Sequence, residues 1–317
     1  MITIRDVAKR AGVSVSTASR ALNNNPRISD TTRVKVRKIA DKLGYLPNYN
    51  AKNLTLGKAN VVGVIFPPID EDSQDNPFYI DMLRGINDSS LSHNFVLSVA
   101  MGSTTAKLLQ NVKSMVQQAK IKSFVVLYTD SNDSVIKYLR QQQLDFVVIG
   151  QPEEGYADRF VDNDNVAAGQ AATDYLIKHF SVKHPLFVQS EHKWQYEINR
   201  RLGYEKSMQI NGLAPTLFEL PETNLAQSLT TFLANHTQID AVISTDDLGF
   251  ISFYQAWQTI RPQNDVPAIC FNRSSLINLL GQKIATVDML PKELGSAAAE
   301  LLFKQQQRQK IIEYKIN

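Results

Sequence analysis

The sequence predicts a small all-α domain, a short linker, and a large α/β domain of two lobes. Apolar residues recur at three- and four-residue spacing through the first 45 residues, which is typical of short amphipathic helices. A polar, asparagine-rich stretch follows, and short apolar runs then alternate with helix-length segments through the rest of the chain. We place the three regions at residues 1–46, 47–59 and 60–317.

The first region predicts three helices. The first has an apolar face formed by Ile4, Val7, Ala8 and Ala11. Gly12 ends it, because glycine adopts the left-handed conformation that a sharp turn requires. Ser14 is a good N-cap for the second helix, and Ser29 with Asp30 begins the third. The inward residues of these two helices are Ala18, Ala21, Leu22, Val36, Ile39, Ala40 and Leu43.

Positive charge is concentrated at the N-terminal end. Residues 1–58 contain twelve Lys and Arg against three Asp and Glu, whereas the remainder carries 22 basic and 28 acidic side chains. This asymmetry indicates a polyanionic partner, although a solvated basic tail would have the same charge. The second predicted helix favours DNA, because its outward face carries small and polar side chains that fit the major groove. A helix, a glycine turn and such a helix form a helix-turn-helix.

The run TIRDVAKRAGVSVSTASRALNNNPRISDTTRVKVRKIADKLGYLPN resembles the DNA-binding headpiece of the lactose-repressor (LacI/GalR) family at nearly every position. The resemblance implies that Val15, Ser16 and Arg20 are recognition residues in the major groove, and that Arg5 contacts a base or the backbone from the first helix. It implies further base or phosphate contacts from Ser14, Thr17, Asn23 and Arg27. Binding as a homodimer to a pseudopalindromic double-stranded operator is also implied.

The linker has little apolar surface to bury. In the LacI/GalR family this segment forms a hinge helix on operator DNA, and a leucine from each copy wedges into the minor groove. The resemblance matches that leucine to Leu54, with Asn48, Ala51 and Lys52 beside it as DNA contacts. The alternative is that Leu54 packs on the following domain.

The region beyond the linker predicts parallel sheets covered by helices on both faces. The predicted strands are 61–66, 95–100, 124–128, 146–149, 186–189, 241–244 and 268–271. The predicted helices between them include 79–92, 105–119, 166–180, 225–235 and 248–260. These strand and helix units are too many for one compact sheet, so we expect two lobes with a ligand cleft between them. The resemblance implies a periplasmic-binding-protein-like effector domain.

Other function classes are disfavoured by the motifs that the sequence lacks. Gly57-Lys58 fails the spacing of a phosphate loop and no GxGxxG occurs, so we expect no nucleotide cofactor. The single Cys270 and five histidines without HExxH spacing disfavour a metal site, and no acid/base pair or nucleophile motif indicates an enzyme. No run reaches the roughly 20 apolar residues of a membrane span. The charged N-terminus does not resemble a signal peptide, so we expect a cytoplasmic protein.

The family resemblance also implies residues that bind a sugar effector. It places Phe78 and Tyr79 of the NPFY segment, and Trp194, in the effector cleft, because the C–H faces of sugars stack on aromatic rings. The Arg-x-x-Gly-aromatic pattern matches Arg200 to an effector-contacting arginine. Asp246, at the end of a predicted strand, matches an acidic residue that meets ligand hydroxyls.

Four further residues of the body receive a structural or less definite interpretation. Asn272 stands where many relatives have Asp, so its role in effector binding is a departure from the family pattern. We interpret Asp164 and Asn165 as capping the following helix rather than binding ligand. Trp257, at helical spacing from Phe250, is interpreted as a core residue.

The runs FVVIGQP and NPFY resemble maltose-operon repressors within the family. The resemblance therefore implies a repressor of a carbohydrate-utilisation operon that responds to maltose or a related oligosaccharide. A catabolite-control regulator would share the fold but respond to a phosphorylated carrier protein. A solute-binding transport protein and a sugar-processing enzyme fit less well. Residues 305–317 lack the leucine heptads that form four-chain assemblies, which favours a dimer.

Overall fold

The computed structural model contains two compact units, Met1–Asn60 and Val61–Asn317. The structure describes residues 2–45, 60–68, 76–130, 132–262, 265–280, 284–304 and 307–317. The described part of the first unit is helical, and the second unit contains two six-stranded sheets. This confirms the predicted fold class. Within these stretches, no helix combines the length and the apolar composition needed to cross a membrane.

The first unit, called the head, consists of α1 (Ile4–Ala11), α2 (Val15–Leu22) and α3 (Asp30–Leu43). Its buried core contains small aliphatic side chains: Val7, Ala8, Ala11, Ala18, Ala21, Val36 and Ala40. Because alanine occupies so little space, the three short helices approach closely around a core of few residues.

Capping residues stand at the ends of the head helices, among them the predicted Gly12, Ser14 and Ser29. The hydroxyls of Thr3, Ser14 and Ser29 each accept a hydrogen bond from the backbone N–H three residues later, at the start of α1, α2 and α3. Gly12 and Gly44 end α1 and α3 with φ of 70° and 65°. These are left-handed conformations that glycine adopts without steric cost.

The second unit, called the body, begins with its first lobe, a parallel sheet covered by helices on both faces. The elements in order are β1 (Val61–Ile65), α4 (Pro77–Ser92), β2 (Val96–Ala100), α5 (Thr105–Gln117), β3 (Ser123–Val126), α6 (Ser134–Gln141), β4 (Asp145–Ile149) and β5 (Arg159–Asn163). Alternate strand residues enter opposite cores. Val125 packs in the core that includes α4, whereas Phe124 and Val126 pack in the core that includes α5 and α6.

The second lobe repeats this arrangement. Its elements are α7 (Asn165–Phe180), β6 (Pro185–Ser190), α8 (Gln195–Ile210), β7 (Thr216–Leu220), α9 (Leu225–Asn235), β8 (Ala241–Ser244), α10 (Asp247–Ile260), β9 (Ala268–Phe271), a 3-10 helix (Ile277–Leu280) and β10 (Ala285–Asp288). Helices α7 and α8 cover one face of the sheet, and α9 and α10 cover the other. Trp257 is buried in the core under α9 and α10, which confirms its interpretation as a core residue.

The chain then returns to the first lobe as α11 (Pro291–Phe303) and β11 (Gln309–Ile312), and β12 (Lys315–Ile316) joins the second sheet. The sheet orders are β11-β5-β4-β3-β1-β2 and β12-β10-β9-β8-β6-β7. Strand β12 is antiparallel to β10, and the other pairings are parallel. In the described residues, three crossovers connect the lobes, at 163–165, 288–291 and 312–315.

Glycine brings two helix pairs into backbone contact. In the first lobe, Gly85 of α4 lies against the backbone of α11, and Gly295 of α11 lies against the backbone of α4. In the second lobe, Gly169 of α7 and Gly203 of α8 make the equivalent reciprocal contact. A Cβ atom at position 203 would lie 2.0 Å from the carbonyl oxygen of Val166. These positions therefore have no space for any side chain.

We expect Gly203→Ala to lower the free energy of unfolding by about 3 kcal/mol, because the added methyl group collides with backbone rather than with a movable side chain. Lys206→Ala, on the exposed side of α8, is the control and should change stability by about 0.5 kcal/mol or less. Chemical denaturation followed by circular dichroism measures both values. Equal stability of the two variants would contradict the close helix contact.

Candidate functional site

Helix α2 presents one face of the head to solvent. Ala18 and Ala21 pack inward, so Val15, Ser16 and Arg20 point outward. Val15 is 44% exposed although it is aliphatic. An aliphatic side chain beside a hydroxyl and a guanidinium suits a DNA major groove, where thymine methyl groups and base acceptors lie side by side.

The hydroxyl groups at the start of α2 form a cluster. The Ser14 Oγ accepts from the backbone N–H of Thr17 at 3.1 Å, and it lies 2.9 Å from Ser16 Oγ and 2.8 Å from Thr17 Oγ1. Arg5, Asn23 and Arg27 are exposed elsewhere on the head, whereas Thr17 is half-buried. Four predicted contacts, Asn48, Ala51, Lys52 and Leu54, lie outside the described residues.

The body contains a cleft of about 770 Å³ between its two lobes. Many of its walls are segments that follow the carboxyl ends of strands in both sheets, as expected for open parallel sheets. The structure brings all six predicted effector residues into this cleft: Phe78, Tyr79, Trp194, Arg200, Asp246 and Asn272.

Arg200 is the cation of the cleft wall and is only 4% exposed. Its Nε donates to Asn165 Oδ1 at 2.9 Å, and its Nη1 donates to the carbonyl oxygen of Thr245 at 2.5 Å. The guanidinium carbon lies 4.7 Å from the ring centroid of Tyr196 and 4.3 Å from that of Phe271. Burial lowers the pKa of Arg200, but a guanidinium in a protein remains charged. With five N–H donors, it has others to offer a ligand.

The Arg-x-x-Gly-aromatic pattern has a structural explanation. Gly203 lets α8 contact α7 closely, which brings Arg200 beside Asn165. Tyr204 is buried, and its hydroxyl donates to the carbonyl oxygen of Pro185 at 2.9 Å and accepts from the backbone N–H of Thr216 at 2.8 Å. The glycine and the tyrosine thus position α8, and the arginine points into the cleft.

Two carboxyl groups line the cleft. Burial is the main cause that raises the pKa of Asp246 and of Asp162 to about 6. Asp246 also caps α10, since its Oδ1 accepts from the backbone N–H of Gly249 at 2.6 Å. Asp162 Oδ1 accepts from Asn165 Nδ2 at 3.0 Å. Across the described residues, no group of three or more His, Cys, Asp or Glu is arranged to hold a metal ion.

Aromatic residues of each lobe contact the core of the other. Phe78 and Tyr79 begin α4 in the first lobe, and their rings meet edge to face with centroids 6.3 Å apart. Phe78 also packs against a core of the second lobe. Trp194, from the second lobe, packs against a core of the first lobe, and its ring centroid lies 3.9 Å from that of His192. The cleft therefore has apolar ring surfaces supplied from both sides.

Asn272 lies at the end of β9 with φ of 70°, a left-handed conformation that asparagine tolerates better than most residues. It is 8% exposed, and its Nδ2 donates to Asp247 Oδ1 at 3.4 Å. Its Oδ1 has no hydrogen-bond partner among the described residues. A buried carbonyl oxygen without a partner is costly, so it suits a ligand hydroxyl that donates to it.

Several cleft residues were not predicted from the sequence. They share polar side chains, mostly amides, near strand ends: Asn76, Gln151, Asp162, Asn163, Asn165, Gln195, Tyr196 and Asn199. Asp164 caps α7 by accepting from Ala167 N–H at 2.9 Å, as predicted. The neighbouring Asn165, however, bonds Arg200 in the cleft wall. Gln151 follows the predicted strand 146–149 closely, and this is the signal that could have identified it; Asp162, Asn163 and Asn165 belong to or follow β5, a strand that was not predicted.

Comparison with known proteins matches both units. Residues 3–48 match the family model of bacterial regulatory proteins, lacI family, and residues 59–317 match that of periplasmic binding proteins and sugar binding domain of LacI family. The HTH-type transcriptional regulator MalR of Streptococcus pneumoniae (strain TIGR4) is 30% identical over 312 residues, covering 96% of this chain and 92% of that protein. MalR of Staphylococcus xylosus is 30% identical over 306 residues, covering 95% and 90%.

Solved structures share the fold. The probable maltose operon transcriptional repressor malR from Staphylococcus aureus has a TM-score of 0.75 at 22% identity, covering 82% of this chain and 96% of that one. The lac repressor dimer bound to operator and the anti-inducer ONPF has a TM-score of 0.77 at 16% identity, covering 99% and 97%. The relatives are named as transcriptional regulators rather than enzymes. The chain belongs to the lacI family of DNA-binding transcriptional regulators and carries the sugar-binding domain of that family.

Proposed function

We propose that this regulator is a cytoplasmic homodimeric repressor of a carbohydrate-utilisation operon. In this proposal, maltose or a related neutral oligosaccharide binds in the interlobe cleft and lowers the affinity for the operator. The observation that carries the proposal is the composition of the cleft. Aromatic rings from both lobes surround a buried arginine, two carboxyl groups and a set of amides. Sugars require such a mixture, since they present apolar C–H faces and many hydroxyls.

The charge of the cleft supports a neutral ligand. Arg200 is the cationic side chain among its described lining residues, whereas Asp162 and Asp246 are both acidic. Two donors of Arg200 are already bonded to Asn165 and Thr245. A phosphate or carboxylate on the ligand would meet these two carboxyl groups with only a partly engaged guanidinium to balance it. Hydroxyls can both donate to the carboxylates and accept from the amides.

For the operator, the proposal assigns base contacts to Val15, Ser16 and Arg20 on the exposed face of α2. It assigns base or phosphate contacts to Arg5, Ser14, Thr17, Asn23 and Arg27. In the linker it assigns the minor-groove wedge to Leu54, with Asn48, Ala51 and Lys52 beside it. The exposure of the α2 face supports the first assignment, and the match to family positions supports the others.

One edge of the first sheet has no pairing strand among the described residues, and this edge supports a dimer. Strand β2 is the last strand of that sheet, and it carries exposed apolar side chains at Val96 and Val99, with Met101 directly after it. Ile80 on α4 is also exposed. Exposed apolar residues on an unpaired strand edge are typical of a protein interface. Two copies joined here would supply the two heads that a pseudopalindromic operator requires.

Sugar binding and operator binding are coupled in this proposal. A sugar that contacts both lobes favours the closed cleft, and closure shifts the dimer contact and separates the two linkers. The linkers then lose their helical, groove-bound form. Linkage requires that the operator weaken sugar binding by the same factor by which the sugar weakens operator binding.

We expect Arg20→Ala to weaken binding to operator fragments from the neighbourhood of its own gene by about 1–3 kcal/mol, because a base contact is lost. Lys42→Ala, at the exposed end of α3, removes the same charge and is the control. Because each variant removes one positive charge from the head, both should show a similarly small reduction in salt dependence on nonspecific DNA. Mobility-shift titrations measure the affinities. If Lys42→Ala loses as much specific affinity as Arg20→Ala, base recognition by α2 is contradicted.

The two tryptophans of the chain offer a direct test of sugar binding. Maltose should change the fluorescence of the wild type and of Trp257→Phe, because Trp194 remains in the cleft. Trp194→Phe should lose that change, since Trp257 is buried in the second lobe. A panel of neutral and phosphorylated sugars should show preference for neutral ones. If operator affinity responds to a phosphorylated carrier protein and to no sugar, the catabolite-control alternative replaces this proposal.

Maltose affinity should also depend on pH. The pKa of Asp246 is raised to about 6, and its ionised form accepts hydroxyl hydrogen bonds more strongly than its protonated form. Affinity should therefore fall as pH drops through that value, by up to about tenfold at one unit below it. Calorimetric titration measures this, and Asp246→Asn should bind more weakly with a flatter profile. Asp162 titrates in the same range, so Asp162→Asn shows how much of the pH dependence of maltose affinity comes from Asp162. An unchanged profile in both variants would contradict the assignment.

A further inference from the structure

Asn163 occupies an unusual position at the end of β5. The residue is only 3% exposed, and its side-chain amide donates to three backbone carbonyl oxygens. Its Nδ2 lies 3.1 Å from the oxygen of Met289, 3.0 Å from that of Ile312 and 3.3 Å from that of Glu313. An amide has two N–H groups, so the three acceptors share two donors.

Those three carbonyls belong to the other two crossovers. Met289 lies in the crossover at 288–291, and Ile312 and Glu313 lie in the crossover at 312–315. Asn163 itself begins the crossover at 163–165. One buried side chain therefore bonds all of the described connections between the two lobes.

The same crossover is attached to the cleft wall. The backbone N–H of Asn163 donates to Asp162 Oδ1 at 2.8 Å, and Asn165 Nδ2 donates to the same oxygen at 3.0 Å. Asn165 in turn accepts from Arg200. Continuous hydrogen bonds thus lead from the arginine of the cleft to the point where the crossovers meet.

We propose that Asn163 is a positioning residue that makes the three crossovers rotate together, so that the lobes open and close along one path. Each crossover alone has free backbone torsions. In the structure, by contrast, Leu290 of the second crossover is held at a φ of 52°, a left-handed conformation that a leucine adopts only when its surroundings constrain it. Because the other two crossovers both bond to the side chain of Asn163 in the first, no crossover can rotate without the other two. Aspartate could not replace it, because an ionised carboxylate would face three carbonyl oxygens.

The proposal concerns the lobes themselves and goes beyond the proposed function, so it can be tested without a sugar. Spin labels on Gln110→Cys in α5 and Gln227→Cys in α9 report the distance between the lobes, because both positions are exposed. The native Cys270 is fully buried and would stay unlabelled in the folded protein. Dilution into excess unlabelled protein limits each dimer to one labelled chain.

We expect the ligand-free wild type to give one narrow distance distribution and Asn163→Ala to lose it, with a broad distribution in its place. Asn163→Ser has one hydroxyl donor on a shorter side chain and should give a distance distribution of intermediate width. This variant replaces Asn163→Ala in the test if the alanine variant does not fold. Thr173→Ala is the matched control. It removes a buried hydrogen bond of 2.8 Å to the carbonyl oxygen of Gly169 within α7, away from the crossovers.

The width of the distribution separates positioning from general stability. Thr173→Ala should be less stable than the wild type but should keep the narrow distribution. Broadening in both Asn163 variants and not in Thr173→Ala supports the proposal. Equal widths in the wild type and both Asn163 variants would overturn it, and so would equal broadening in Thr173→Ala. A failure of maltose to bind would leave either outcome intact, so this test is independent of the sugar assignment.

Discussion

The burial of one cation organises the body of this regulator. Arg200 is held by Asn165, Thr245 and two aromatic rings, because a guanidinium removed from water must be satisfied by hydrogen bonds and nearby electron-rich groups. Apart from Tyr196, which lies on α8 with Arg200, those partners come from three other elements of the second lobe: α7, the end of β8 and β9. The requirement to satisfy the cation therefore fixes the relative placement of α7, α8 and the end of β8, and the same elements form one wall of the cleft.

Small side chains govern both units in a related way. In the head, alanines let three short helices share a core that larger residues would force apart. In the body, Gly169 and Gly203 let α7 and α8 meet at backbone distance, which is how Arg200 reaches Asn165. Recognition in this protein thus depends on positions that have almost no side chain of their own.

The sequence was sufficient for the features that depend on local chemistry. The caps at Ser14 and Ser29, the turn at Gly12 and the buried Trp257 follow from propensity and periodicity, and the family motif led to all six cleft residues. It was insufficient where the tertiary structure decides. Strands β5 and β11 were not predicted, because charged and amide side chains stand beside their few apolar residues, and pairing with neighbouring strands holds them in the sheet. Asn163 was missed because its three partners lie more than a hundred residues away.

The exchange of aromatic residues between the lobes has a thermodynamic consequence. Phe78 and Trp194 each rest on the core of the opposite lobe, so separation of the lobes transfers apolar ring surface to water. Hydration of such surface raises heat capacity. In the proposed opening and closing of the lobes, the two forms therefore differ in heat capacity, and the balance between them depends on temperature.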